Sequence, residues 1–162
     1  MKKYLSIILS VVIAITCVIP ITAFAKENTE YDNNFTQLEF ESLEHTYAVS
    51  VQPYSSDLIT NHRLGIAKNS NNLLISGYTQ GNSEIVKCGF TKVIIQRRAS
   101  SSASWSNYKI FDDLYSDSDY YKLSKTVPVD KGYQYRVTAT HYAKKSLFST
   151  QKINATTGYL SF

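Results

Sequence analysis

The sequence predicts an all-β protein whose folded part is a single two-sheet sandwich of about seven strands. Two observations carry that reading. After Tyr54, short stretches rich in β-branched and aromatic residues alternate with clusters of Ser, Asn, Asp and Gly. No stretch of that region sustains the i, i+3, i+4, i+7 spacing of an amphipathic helix.

The elements follow in order. Leu64 to Lys68 is a first short strand, and Asn69-Ser70-Asn71-Asn72 its turn. Leu73 to Thr79 is a second, ended by Gln80-Gly81-Asn82-Ser83. Phe90 to Arg98 is the third, with Val93 and Ile95 on one face and Ile94 and Gln96 on the other. The polar run Ala99 to Ser104 is a hairpin tip leading into Trp105 to Phe111. Tyr120 to Val129 is a fifth strand, which Pro128 marks as an edge or a strand end. Tyr133 to Tyr142 is the sixth and Phe148 to Thr156 the last. In the sixth, Tyr133, Tyr135, Val137 and Ala139 alternate with Gln134, Arg136, Thr138 and Thr140, as a half-buried antiparallel strand should.

The N-terminus is of a different kind. Lys2 and Lys3 precede an apolar run from Leu5 to Phe24 that is broken by Pro20, and Ala23-Phe24-Ala25 supplies a small-residue cleavage pattern before the polar switch at Lys26. Residues 1–25 therefore read as a signal peptide removed after Ala25, against an uncleaved anchor as the rival. Cys17 follows Thr16 rather than a small Ala or Gly, so it reads as a small apolar residue that leaves with the signal. Export then leaves Cys88 as the mature chain's one cysteine, with no internal disulfide expected. No membrane span is expected in the mature chain.

Charge divides the rest in two. From Lys26 to Ser56 there are six acids against Lys26 alone, giving −5; from Asp57 to Phe162 there are seven acids against fourteen Lys and Arg, giving +7. Residues 26–56 read as an acidic, disordered lead-in, because so polar a segment buries too little surface to offset the entropy of ordering. Residues 57–162 are the β-sandwich domain, of the usual size for one core.

Val93-x-Ile95-Gln96-Arg97, Trp105 and Val129-x-x-Gly132-Tyr133-x-Tyr135-Arg136-Val137-x-Ala139 together resemble the immunoglobulin-like and fibronectin type III sandwiches. The likeness spans roughly Leu64 to Thr156, in the manner of small secreted proteins of Gram-positive bacteria. It implies that Tyr135, six positions after Val129, braces a corner between the sheets through its hydroxyl. Tyr78 stands where that pattern would put a core tryptophan, and the first strand lacks the usual prolines. A fold of this kind implies no particular activity.

Catalytic and metal motifs are sparse. His45 and His62 precede the first strand and His141 ends the sixth; there is no His-Glu-x-x-His, paired-cysteine zinc spacing or Gly-x-Ser-x-Gly elbow. Cys88 reads either as a buried apolar thiol or as a nucleophile or intermolecular disulfide partner. Asp112, Asp113, Asp117 and Asp119 share one expected loop and could hold a hard cation such as calcium, although the run lacks the calcium loop's glycine and closing glutamate. The alternative is a solvated acidic connector.

Binding chemistry has two candidates. Trp105, Tyr108, Tyr115, Tyr120 and Tyr121 cluster in sequence beside Ser and Asp residues and could stack on sugar rings, or serve the core and the sheet surface. Arg97, Arg98, Lys109, Lys144 and Lys145 could face anionic polymers, acidic glycans or membrane surfaces, or form an ordinary solvated surface. No nucleic-acid motif is present, which makes nucleic acid the weaker partner. The expectation is a non-catalytic binding module without cofactor, secreted or loosely held at the surface, with cell-wall polysaccharide or another extracellular protein as partner. The alternatives are a secreted enzyme using Cys88 or the Asp112–Asp119 segment, and a structural envelope protein.

Overall fold

A computed structural model describes residues 35–49 and 57–162. The signal peptide expected at 1–25, and residues 26–34 and 50–56 of the expected lead-in, lie outside the described residues.

Among the described residues nine strands form two antiparallel sheets. The first sheet has the order β1 (Glu44–Tyr47), β2 (Ile59–Asn69), β3 (Asn72–Gly81), β6 (Tyr120–Pro128). The second has the order β5 (Ser106–Ser116), β4 (Lys87–Arg98), β7 (Gln134–Ser146), β8 (Ser149–Thr156), with the short β9 (Leu160–Ser161) also on β7. All seven expected strands are present, most of them longer than the apolar pattern alone suggested. Ser70, at φ 55°, makes the tight turn of the β2–β3 hairpin between the paired Asn69 and Asn72.

The core lies between the sheets because strand alternation aims one face of each strand inward. Leu64, Ile66, Leu73, Ile75, Leu123 and Val127 come from the first sheet; Phe90, Val93, Ile95, Tyr135, Val137 and Ala139 come from the second. Ile59, Ile85, Cys88 and Ala143 close one end. At the other end Tyr135 is fully buried, and its hydroxyl accepts from the Asp130 N–H (3.0 Å) and donates to the Asp130 carbonyl (3.2 Å). Tyr78 is not a core residue: its neighbour Gly77 faces Phe90, while Tyr78 lies in ring contact with Tyr120 at 6.1 Å.

One expectation is corrected. The sequence places residues 26–56 in a disordered lead-in, but residues 35–49 are folded, with β1 extending the edge of the first sheet and Phe40 packing on its outer face. Thr36 caps a short helix α1 (Gln37–Glu41), its hydroxyl accepting from the Glu39 N–H while the Glu39 carboxylate accepts from the Thr36 N–H. β1 then pairs along β2 from Glu44↔Lys68 to Tyr47↔Gly65. The driving force is apolar: Phe40 is fully buried on Ala67 and Leu74, with Phe35, Leu43 and Tyr47 around it. Acidic composition concealed a regular set of apolar anchors.

Candidate functional site

The helix packs on part of the first sheet's outer face, at Ala67 and Leu74, and the outer face of the second sheet carries the densest set of aromatic and cationic contacts among the described residues. Alternation dictates what stands on it. β4 presents Lys92, Ile94, Gln96 and Arg98; β7 presents Gln134, Arg136, Thr138, Thr140 and Tyr142.

At one end of this face Trp105 lies against two arginines. Its ring centroid is 4.5 Å from the Arg98 guanidinium and 4.4 Å from that of Arg136. Tyr159 closes the group, 5.0 Å from Arg98 and 6.3 Å from Trp105. The arginines are held by amides rather than acids. Arg98 Nε donates to Gln134 Oε1 (2.7 Å), Arg136 Nε donates to Gln96 Oε1 (2.9 Å), and Gln96 Nε2 donates to Asn107 Oδ1 (3.1 Å). Cross-strand register produces this, since Gln96 pairs with Arg136 and Arg98 with Gln134. Among the described residues neither arginine has a carboxylate within salt-bridge distance, whereas Arg97 next to them reaches Asp130 at 2.6 Å. Burial first, and then the Arg98 charge, hold the Arg136 guanidinium below its usual value. Two adjacent cations therefore stand uncompensated beside an aromatic ring, an arrangement that favours an incoming anion.

The other end of the face is aromatic. Gly89 pairs with Tyr115 on one side and Tyr142 on the other. With no side chain between them, the two rings meet at 5.4 Å, and the Lys87 ammonium lies 5.6 Å from Tyr115. Gly89 is required here: its φ is +152°, and a Cβ would fall 2.0 Å from the Leu114 carbonyl oxygen.

The sequence cluster of aromatic and basic candidates is thus divided by the fold. Trp105 and Arg98 share the arginine end, and Tyr115 occupies the far end of the same face. Tyr108 is turned toward the core by a bulge opposite Ile95 and Gln96, where it meets Tyr135 at 5.5 Å and Arg97 at 4.9 Å. Tyr121 packs on Phe90, also in the core. Tyr120 belongs to the opposite sheet beside Tyr78. Lys109 lies over Phe111 at 5.2 Å. Sequence reading missed Arg136, Tyr159, Gln96 and Tyr142, because their membership depends on register across β4 and β7. The legible trace was the polar alternation of the sixth strand.

The acidic candidates do not converge. Asp112 and Asp113 lie within β5 rather than in a loop, and only Asp117 and Asp119 flank its turn into β6. Asp112 pairs with Lys92 (3.4 Å), Asp117 pairs with Lys87 (3.3 Å), and Asp113 accepts from the Tyr115 hydroxyl (3.1 Å). Among the described residues no three His, Cys, Asp or Glu side chains gather as metal ligands.

Cys88 and His141 meet through a third residue. The Cys88 thiol donates to the Thr79 carbonyl (3.3 Å), and Thr79 Oγ1 donates to the Gly89 carbonyl (2.9 Å), so Oγ1 accepts from His141 Nδ1 (2.8 Å). Both Cys88 and His141 are fully buried. Burial pushes the thiol up to about 11 and, with the neighbouring His62, drives the imidazole down to about 3. A protonated thiol and a neutral imidazole are the forms that suit a core.

Among the described residues no helix is long and apolar enough to cross a membrane. Compared with protein-family models, curated proteins and solved structures, the chain matches none.

Proposed function

We propose that this protein is an exported, non-catalytic binding module of the immunoglobulin and fibronectin type III class, and that it takes an acidic glycan on the outer face of its second sheet. The observation that carries the reading is the Arg98–Trp105–Arg136 group: two guanidinium groups stacked on one ring, fixed by glutamines, with no carboxylate partner among the described residues. Planar guanidinium forks match carboxylate and phosphate groups, while the neighbouring amides and hydroxyls suit a polyhydroxylated backbone.

The class assignment is supported by strand order. Two sheets ordered β2-β3-β6 and β5-β4-β7-β8, with a tyrosine hydroxyl holding the backbone five residues upstream, follow the pattern of that class. The charged Met1–Lys3 end and the apolar run after it support export. The buried state of Cys88 and His141 supports a non-catalytic role, since nucleophilic thiols are ionised and accessible.

Retention on insoluble peptidoglycan and on neutral and acidic polysaccharides, at low and high salt, tests the reading. Wild type is expected to be retained on acidic polymers and released by salt. Arg98→Ala with Arg136→Ala is expected to lose retention, and the paired Lys substitutions to keep only part of it. Retention on no polymer, or equal retention by the Ala variant, would overturn the assignment.

A further inference from the structure

The apex of the β7–β8 hairpin is a second surface with its own chemistry. Ser146 pairs with Ser149, so Leu147 and Phe148 form a two-residue turn. Such turns usually carry Asn, Asp or Gly. Here the two residues are large and apolar, and they are 80% and 99% exposed. Backbone geometry does not call for them, since the described non-glycine residues with positive φ are Ser70 and Asp113. Neither side chain belongs to any of the three apolar clusters of the fold. Val86, 55% exposed, adds a third apolar side chain at this end, its N–H donating to the Lys144 carbonyl (2.9 Å).

Charge surrounds the apolar tip. From Gln134 to Gly158 the sequence holds no Asp or Glu, and its cations are Arg136, Lys144, Lys145 and Lys152. Lys145 reaches Glu84 at 2.6 Å, whereas among the described residues Lys144 and Lys152 have no carboxylate within salt-bridge distance. Two protruding side chains are too little for a stable protein interface, which takes roughly 800 Å² from each partner. A convex apolar tip backed by lysines instead matches the boundary of an anionic bilayer, where apolar groups enter below the headgroups and ammonium groups remain among them.

We propose that Leu147 and Phe148 dock this protein reversibly on anionic lipid membranes, with Lys144, Lys145 and Lys152 on the headgroups. The site is independent of the glycan reading: Arg136 lies near the start of β7 and Leu147 just past its end, roughly 35 Å apart along an extended strand.

Co-sedimentation of the whole protein with vesicles of equimolar phosphatidylglycerol and phosphatidylcholine, and of phosphatidylcholine alone, tests it. Wild type is expected to bind the anionic vesicles and to leave the neutral ones largely unbound. Leu147→Ser with Phe148→Ser is expected to weaken binding roughly tenfold or more, from the apolar surface it removes, without moving the thermal unfolding transition. Phe148→Trp, measured above the Trp105 background, is expected to blue-shift on anionic vesicles. Arg98→Ala with Arg136→Ala is expected to bind them as wild type does. Absence of vesicle binding, equal binding by the double Ser variant, or an unshifted Trp emission would overturn the proposal. So would a concentration-dependent dimer abolished by the double Ser variant, which would give the tip to a second copy of the chain.

Discussion

Thr79 Oγ1 spends its proton on the Gly89 carbonyl, which obliges His141 to carry its own on Nδ1, and the ring has no exposed surface. His62 faces it at 4.8 Å and Phe90 at 4.6 Å, and among the described residues no carboxylate lies within salt-bridge distance of it, so burial disfavours a charged imidazole. The unfolded chain takes up this proton near pH 6.5, whereas the fold resists it down to about 3. Between those values the unfolded state binds more protons. Stability is therefore fully present above pH 6.5 and falls by about 1.4 kcal/mol per unit of acidification through that window. Urea unfolding from pH 6.5 to 5.5, above the ordinary value of 4.5 from which the fold lowers Glu39 and Glu41, is expected to show this fall in wild type and a flatter profile in His141→Gln. Cys88 gives a simpler check: alkylation by iodoacetamide at neutral pH is expected only after unfolding, and rapid labelling of the native protein would contradict a buried thiol at about 11. Tyr135 was legible as a corner residue only through the resemblance to the immunoglobulin-like and fibronectin type III sandwiches, in which the Val129 spacing takes that meaning. Tyr135→Phe removes both hydrogen bonds to Asp130 and is expected to cost about 1–2 kcal/mol in urea unfolding.

Strands showed in the sequence wherever period-two alternation ran for several residues, as in β7, because one buried and one solvated face leave that imprint. The helix α1 did not show, since five residues are too few to establish a period. A usable signal was present in Thr36-Gln37-Leu38-Glu39 ahead of Phe40, the capping-box pattern before an apolar residue. In sequence the Asp112–Asp113 pair reads as a loop because charge obscures an edge strand, although charge is what an exposed edge commonly carries. Two element-level substitutions follow. Phe40→Ala removes the anchor of α1 and β1 and is expected to lower stability by about 3 kcal/mol, with increased proteolysis near residue 49. Gly89→Ala drives a Cβ into the Leu114 carbonyl at a positive φ and is expected to lower stability by at least about 2 kcal/mol, while disturbing the Tyr115–Tyr142 ring contact. Unchanged unfolding midpoints in either variant would contradict these packing arguments.

At the scale of the molecule the two sheets divide the labour. The first carries α1 on part of its outer side and β1 at its edge; the second presents Arg98 and Arg136, without a carboxylate partner among the described residues, at one end of its outer face and an aromatic pair at the other, and the β7–β8 hairpin extends past that end. The sandwich was legible in sequence because burial patterns are local. The site was legible only in Trp105, Arg98 and Tyr115, because Arg136 and Tyr159 join them through pairings distant in the chain. The most direct test of the proposed ligand face is an amide chemical-shift titration of the labelled protein with a soluble acidic oligosaccharide. The expected result is saturable shifts confined to the Gln96–Arg98 end of β4, the Gln134–Arg136 end of β7 and the Trp105 indole. Shifts centred on the first sheet, or none at saturating oligosaccharide, would contradict it.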